Sequence, residues 1–186
     1  TPGMGLQRNT STLHRYKWYI WEKLIGIRNA RAIDLAILES PIVQKEYERF
    51  GYHFKKSVVL SSPVDMASTN RLPSPYSNDP ALFHVLFAAR LIADKGPDIF
   101  VKAAVGLPES VHMHVIGSGD EEPTLRKFIE KNNLQKQVHL HGWKTREELL
   151  AFFRHAHLFV HPCRWPEPFG LVVVEALRVG LPVVAT

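Results

Sequence analysis

From His84 onward the apolar positions of the chain follow two alternating periods. HVLFAAR (84–90) is a short apolar run of the kind that fills a buried strand, and VHMHVIG (111–117) reads the same way. VHLHG (138–142), HLFVHP (157–162) and LPVVAT (181–186) continue the series. Between these runs the period lengthens. DKGPDIFVKAAVGL puts Pro97 at a first helical position and Ile99, Ala103 and Ala104 at helical spacing. EEPTLRKFIEKNN has acids in its first turn, Leu125, Phe128 and Ile129 on one face, and asparagines at its end. Thr145 and Glu148 form a T-x-x-E capping box ahead of Leu149, Leu150, Phe152 and Phe153. Strands separated by single helices imply an α/β fold: a Rossmann-like parallel sheet with right-handed crossovers and helices on both faces. Ligands bind such sheets at the carboxyl ends of the strands.

RWPEPFGLVVVEAL (164–177) tests this pattern. Leu171 to Val174 is good strand material, yet residues 169–179 must join two neighbouring parallel strands, and that connection takes a helix. Gly180 and Pro182 then supply stop signals, so the segment is expected to be helical.

The first eighty residues form a different piece. TLHRYKWYIWEKLIGIRNAR looks helical, IDLAILES a strand, PIVQKEYERFG a helix and KSVVLS a further strand. SSPVDMASTNRLPSPYSNDP is rich in Ser, Pro and Asn and reads as an interdomain linker. The expected organisation is therefore 1–61 as the end of one domain, 62–80 as linker, and 81–186 as a Rossmann-like domain cut before its end.

Composition narrows the classes. The 186 residues are 45% hydrophobic and 22% charged, ordinary for a soluble globular protein. No apolar run approaches a membrane-spanning length, and no signal peptide opens the chain. With Cys163 as the only cysteine, no internal disulfide forms, which suits a reducing, cytoplasmic setting. The net charge is +5, and residues 8–31 carry Arg8, Arg15, Lys17, Lys23, Arg28 and Arg31 against Glu22 alone. With Trp18, Tyr19, Ile20 and Trp21, that stretch suits either anionic lipid, as a peripheral membrane contact, or packing against a missing half-domain. No nucleic-acid-binding motif accompanies the charge.

Three stretches carry candidate chemistry. In ARLIADKG, Arg90 and Lys95 occupy a strand-to-helix loop, where they either hold a pyrophosphate or remain solvated surface cations. In VIGSGDEE, Gly117 and Gly119 allow close backbone approach to a ligand, but Glu122 stands where a dinucleotide fingerprint wants a third glycine. An NAD site is disfavoured and a plain tight turn stays open. In the third stretch, Pro166 and Pro168 restrict Trp165 and Glu167 to extended geometry, and Glu175 lies about 8 Å further along the helix. Two carboxylates suit sugar and ribose hydroxyls better than phosphate, although a structural ion pair is equally open. The strand histidines His112, His114, His139, His141 and His161 lack the helical spacing of a zinc site and read as packed or rim residues. Cys163 reads as an inert thiol.

Taken together, Glu167-PFGLVVV-Glu175 followed by ALRVGLPVVAT, RLIADKG at 90–96, IGSG at 116–119 and HLHG ending at Gly142 resemble the retaining GT-B glycosyltransferases of family 4. The resemblance covers nearly the whole chain. It implies a two-domain GT-B architecture and transfer of a sugar, with retention, from a UDP-, GDP- or ADP-sugar donor to a carbohydrate, lipid or small-molecule acceptor. No metal and no separate cofactor is implied. Arg90 and Lys95 would hold the donor diphosphate and Glu167 the sugar hydroxyls. Phe169, Gly170 and Leu171 would offer backbone amides, Glu175 would take the ribose, and Trp143 and Lys144 after Gly142 would border the base. The glycine-rich loop that opens the family's first domain is not in this chain. Ser61, Ser62, Pro63, Val64 and Asp65 stand where the family often has N-G-V-D. The expectation is a donor-binding half within a longer protein.

Overall fold

The computed structural model describes residues 17, 20–61, 73–76, 79–165, 167 and 169–186. The expectations placed on Arg8, Arg15, Trp18 and Tyr19, on most of the linker, and on the stiffening by Pro166 and Pro168 lie outside the described residues. The chain divides into two compact units, Thr1–Pro63 and Val64–Thr186. Among the described residues no helix is long and apolar enough to cross a membrane.

The first unit holds a π-helical turn, Glu22–Gly26, running into α1 (Ile27–Ala30). Strand β1 (Ala36–Leu38), helix α2 (Pro41–Arg49) and strand β2 (Ser57–Val59) follow, with β1 and β2 pairing in parallel. Ser40 caps α2 by accepting from the Val43 amide at 3.3 Å, and Pro41 occupies a first-turn position where no amide hydrogen is required.

The second unit contains β3 (Phe83–Ala88), α3 (Pro97–Lys102), β4 (Val111–Ile116), α4 (Glu122–Lys131) and β5 (Val138–Leu140). It continues with α5 (Arg146–His155), β6 (Leu158–His161), α6 (Leu171–Arg178) and β7 (Val183–Ala185). All five strands are parallel, in the order β5-β4-β3-β6-β7. The chain thus builds outward from β3 to β5, crosses back to lay β6 against the other side of β3, and builds outward again. The point of reversal lies between β3 and β6.

Strand alternation feeds two cores. Val85, Phe87, Met113 and Val115 face α3 and α4, packing with Phe100, Val101, Leu125 and Ile129. Leu86, Ala88, Ile116 and Phe159 face α5 and α6, packing with Leu150, Phe152, Phe153 and Ala176. Phe87, Phe100, Phe153 and Phe159 are fully buried, each worth about 1.5–3 kcal/mol of transfer free energy. The Thr145–Glu148 capping box starts α5 as its spacing predicts. The valine run of α6 is helical despite its propensity, because β7 must run parallel to β6 and a crossover has to lie between them. Tyr76, which composition assigns to the linker, is packed in this second core and donates its hydroxyl to the Phe152 carbonyl at 3.0 Å.

Six histidines crowd one face of the sheet. His84 Nδ1 lies 3.0 Å from His114 Nε2, and His114 Nδ1 lies 2.9 Å from His141 Nε2. His139 Nε2 meets His112 Nδ1 at 3.2 Å, and the His84 amide donates to His157 Nδ1 at 2.9 Å. The strand register produces this ladder, since it sets His84 beside His112 and His114 beside His139. Burial, and after it the neighbouring rings, lowers the basicity of His114 to about 2 and of His141 to about 4. The unfolded chain takes up the same protons near 6.5. Above that pH these rings contribute no pH dependence. Below it the unfolded state binds more protons, so stability falls as pH is lowered. Thermal unfolding midpoints should therefore drop steadily from pH 6.5 towards 4, and the drop should be shallower in His141→Gln.

Candidate functional site

The loops leaving β3 and β6 meet at the carboxyl edge of the sheet. After β3 the chain passes Arg90, forms a short 3-10 turn at Ala93–Lys95, and enters α3 through Gly96. Gly96 has φ +70°, and a Cβ there would stand 2.0 Å from the Pro162 carbonyl oxygen. Only glycine lets these two backbones touch. The contact is reinforced from the β6 side. The Arg164 amide donates to the Asp94 carbonyl at 2.8 Å, and the Cys163 thiol donates to the same oxygen at 3.2 Å. The Arg164 guanidinium donates to the Ala93 carbonyl at 2.7 Å and grips Asp98 at 2.6 and 2.8 Å. That fork holds the Asp98 carboxyl well below the usual carboxylate range.

Across this junction the Lys95 ammonium contacts the Glu167 carboxylate, and both side chains are largely shielded from solvent. His161 Nε2 stands 3.7 Å from the same carboxylate oxygen and Cys163 Sγ 3.6 Å. The approach of His161, joined by Lys95, holds Glu167 down at about 2 although burial pushes the other way. Burial pushes the Cys163 thiol up. Glu167 is therefore an ionised acceptor with a cation already in place.

The remaining sequence-predicted residues spread along the same edge. Arg90 is exposed and makes no polar side-chain contact among the described residues. Gly117 and Gly119 have a packing reason of their own. A Cβ on Gly117 would lie 1.9 Å from the Ala89 carbonyl oxygen, and one on Gly119 would lie 2.5 Å from that of Leu91. The IGSG turn thus nests against the loop after β3, and the Gly117 amide donates to the Gly142 carbonyl at 2.9 Å. Trp143 is 71% exposed, and Lys144 pairs with Glu148 at 3.5 Å. Phe169 and Gly170 are half-buried before α6, and Leu171 is exposed. The structure joins Lys95 to Glu167 but not Glu175 to either. Glu175 instead faces Arg146 at the start of α5, Nε to Oε1 3.3 Å.

Arg146, Arg164 and Asp98 are participants that sequence reasoning did not single out. Arg146 follows the capping threonine directly, so its place at the head of α5 was legible. Its partner on α6 depends on how the two helices pack, which periodicity does not encode.

The strand order and the two flanking helix layers define a Rossmann-like α/β domain, with the Lys95–Glu167 contact at its switch point. The family model "Glycosyl transferases group 1" matches residues 74–186, and the chain belongs to that family. It is 40% identical over 149 residues to a D-inositol 3-phosphate glycosyltransferase from Pseudarthrobacter chlorophenolicus, covering 74% of this chain and 35% of that one. Among solved structures, HepE from Anabaena, in complex with UDP and glucose, aligns with TM-score 0.74 at 24% identity, over 87% of this chain and 47% of that one. A sucrose-phosphate synthase from Thermosynechococcus elongatus aligns with TM-score 0.78 at 22% identity, over 100% of this chain and 48% of that one. The chain spans about a third of the length of the curated relatives it matches.

The Gly96–Pro162 approach gives a direct test. Gly106 also has positive φ, +87°, but a Cβ there meets nothing within 4 Å. Gly106→Ala should cost only the left-handed backbone penalty of about 1–2 kcal/mol. Gly96→Ala adds the clash and should cost at least about 2 kcal/mol more, read as the difference in denaturant midpoints.

Proposed function

We propose that this chain is the donor-binding half of a glycosyltransferase that moves a sugar from a nucleotide-diphosphate donor to an acceptor with retention of configuration and without a required metal. The observation that carries the reading is the Lys95–Glu167 contact, placed where the β3 and β6 loops meet at the switch point. An ionised carboxylate accepts from sugar hydroxyls, while an adjacent ammonium offers a partner to the diphosphate. Because Glu167 stays charged at any working pH, it orients the sugar rather than exchanging protons with it.

Arg90 is the second diphosphate cation in this reading. It lies beyond the β3 end, exposed, and a bound anion is the partner it lacks within the described residues. As the nucleotide leaves, both cations stabilise the growing charge on its diphosphate. Gly142, Trp143 and Lys144 border the base at the end of β5, beside the IGSG turn. The first-turn amides of α6, with Phe169, Gly170 and Leu171 at its start, face sugar and phosphate. Glu175 takes the ribose hydroxyls, and Arg146 then serves as the group that holds its carboxylate in place. The donor base, the sugar and the acceptor are chosen by experiment; UDP-sugars come first because HepE was solved with UDP and with glucose.

Calorimetry of the chain against UDP-glucose, GDP-mannose and ADP-glucose tests the proposal. One of the three should bind. Arg90→Ala and Lys95→Ala should each weaken binding by about 1.5–3 kcal/mol, the value of a charge-assisted contact. Glu167→Gln should discriminate against the sugar-bearing donor more than against the free nucleoside diphosphate. Indifference of the wild-type chain to all three donors would sink the reading.

A further inference from the structure

His161 poses a problem that sugar binding does not answer. Its side chain is 3% exposed, and neither ring nitrogen has a hydrogen-bond partner among the described residues. A buried imidazole in that state is costly, and of its two orphan groups a cation can relieve one, the lone pair, while the N–H stays unpaired. Two further ligand atoms lie close by. The ring nitrogen of His161, the thiol of Cys163 and a carboxylate oxygen of Glu167 all fall within 4.8 Å of one another. Two of the three separations are 3.7 Å and 3.6 Å, against roughly 3.3–3.7 Å between the ligands of a tetrahedral zinc ion with bonds of about 2.0–2.3 Å.

We infer that His161, Cys163 and Glu167 form a binding site for a soft divalent cation of the zinc type, which competes with the sugar donor for Glu167. The competition rests on the donor reading above; the metal site does not. Nitrogen, sulfur and oxygen together suit zinc rather than magnesium or calcium, which take oxygen alone. On binding, the Cys163 thiol releases its proton to solvent and its sulfur bonds the ion. The thiolate and carboxylate together neutralise the double positive charge. Lys95 must leave the Glu167 oxygen it now contacts, because an ammonium and a metal ion repel each other there. Three protein ligands leave one tetrahedral position open to water. The bound ion is inhibitory: it holds the carboxylate that would orient the sugar. Helical H-x-x-x-H spacing could not reveal the site, since its ligands come from a strand end and the loop beyond it.

Cobalt substitution tests this on the full chain. Cys163 is the only cysteine in the sequence, so a thiolate-to-cobalt charge-transfer band reports on this site alone, and cobalt held by other histidines gives none. Titration with Co²⁺ should develop the band to one equivalent. Zn²⁺ should bleach it, and Cys163→Ser should abolish it. Glu167→Gln should raise the half-saturating Co²⁺ concentration at least about tenfold. A wild-type chain with no band overturns the site. So does a half-saturation unchanged in both Glu167→Gln and His161→Asn. The donor that binds in calorimetry should shift the cobalt titration to higher concentration, and a titration indifferent to that bound donor overturns the competition. If no donor binds, the donor reading fails, and the cobalt band alone decides the metal site.

Discussion

The close approach of Gly96 to the Pro162 carbonyl is the constraint on which the rest of the site depends. With no side chain between them, the loops after β3 and β6 lie in backbone contact. Asp94, Arg164 and Cys163 then complete a set of short hydrogen bonds between the same two loops. Lys95 and Glu167 are neighbours only because this junction exists; in sequence they are far apart. The strand order supplies the other half of the cause. Had β6 paired at the outer edge of β5, the chain would have had no switch point and Glu167 no cation beside it.

Electrostatics at the junction follow a single logic. Arg164 is committed to Asp98, and that pair fastens the loops. Lys95 is committed to Glu167, and His161 together with Lys95 keeps that shielded carboxylate ionised. Breaking one partner of a shielded pair leaves the other charge uncompensated, which costs more than the pair itself contributes. A ligand that displaces Lys95 must therefore offer Glu167 donors or a positive charge in exchange. In the proposed reading sugar hydroxyls would supply the first and a metal ion the second, which would give one carboxylate two mutually exclusive occupants.

Much of this is legible in the sequence itself. The apolar runs of β3 and β4, Pro97 at the head of α3 and the Thr145–Glu148 box are local signals, and each produced its element. The helix at 171–178 is legible against propensity from two signals, the crossover that two parallel neighbours require and the stops at Gly180 and Pro182. Pairings between elements escaped. Arg146 with Glu175, Arg164 with Asp98, and the His161–Cys163–Glu167 group depend on helix packing and loop geometry that no period records. The histidine ladder depends on register: a shift of one residue between β4 and β5 would have turned His139 and His141 to the opposite face. Tyr76 escaped for another reason. Its Ser- and Pro-rich neighbours masked a single aromatic anchor.

The ladder has a consequence at the level of single protons. A neutral imidazole carries one N–H and one lone pair, so a hydrogen bond through one nitrogen dictates the role of the other. If His114 donates through Nε2 to His84, its Nδ1 must accept from His141. If it accepts at Nε2, it must donate at Nδ1. All three rings are thus bound to one tautomeric sense, either every Nε2 protonated or every Nδ1. The row behaves as a polarised wire with two opposite settings, and no ring in it can change sense by itself.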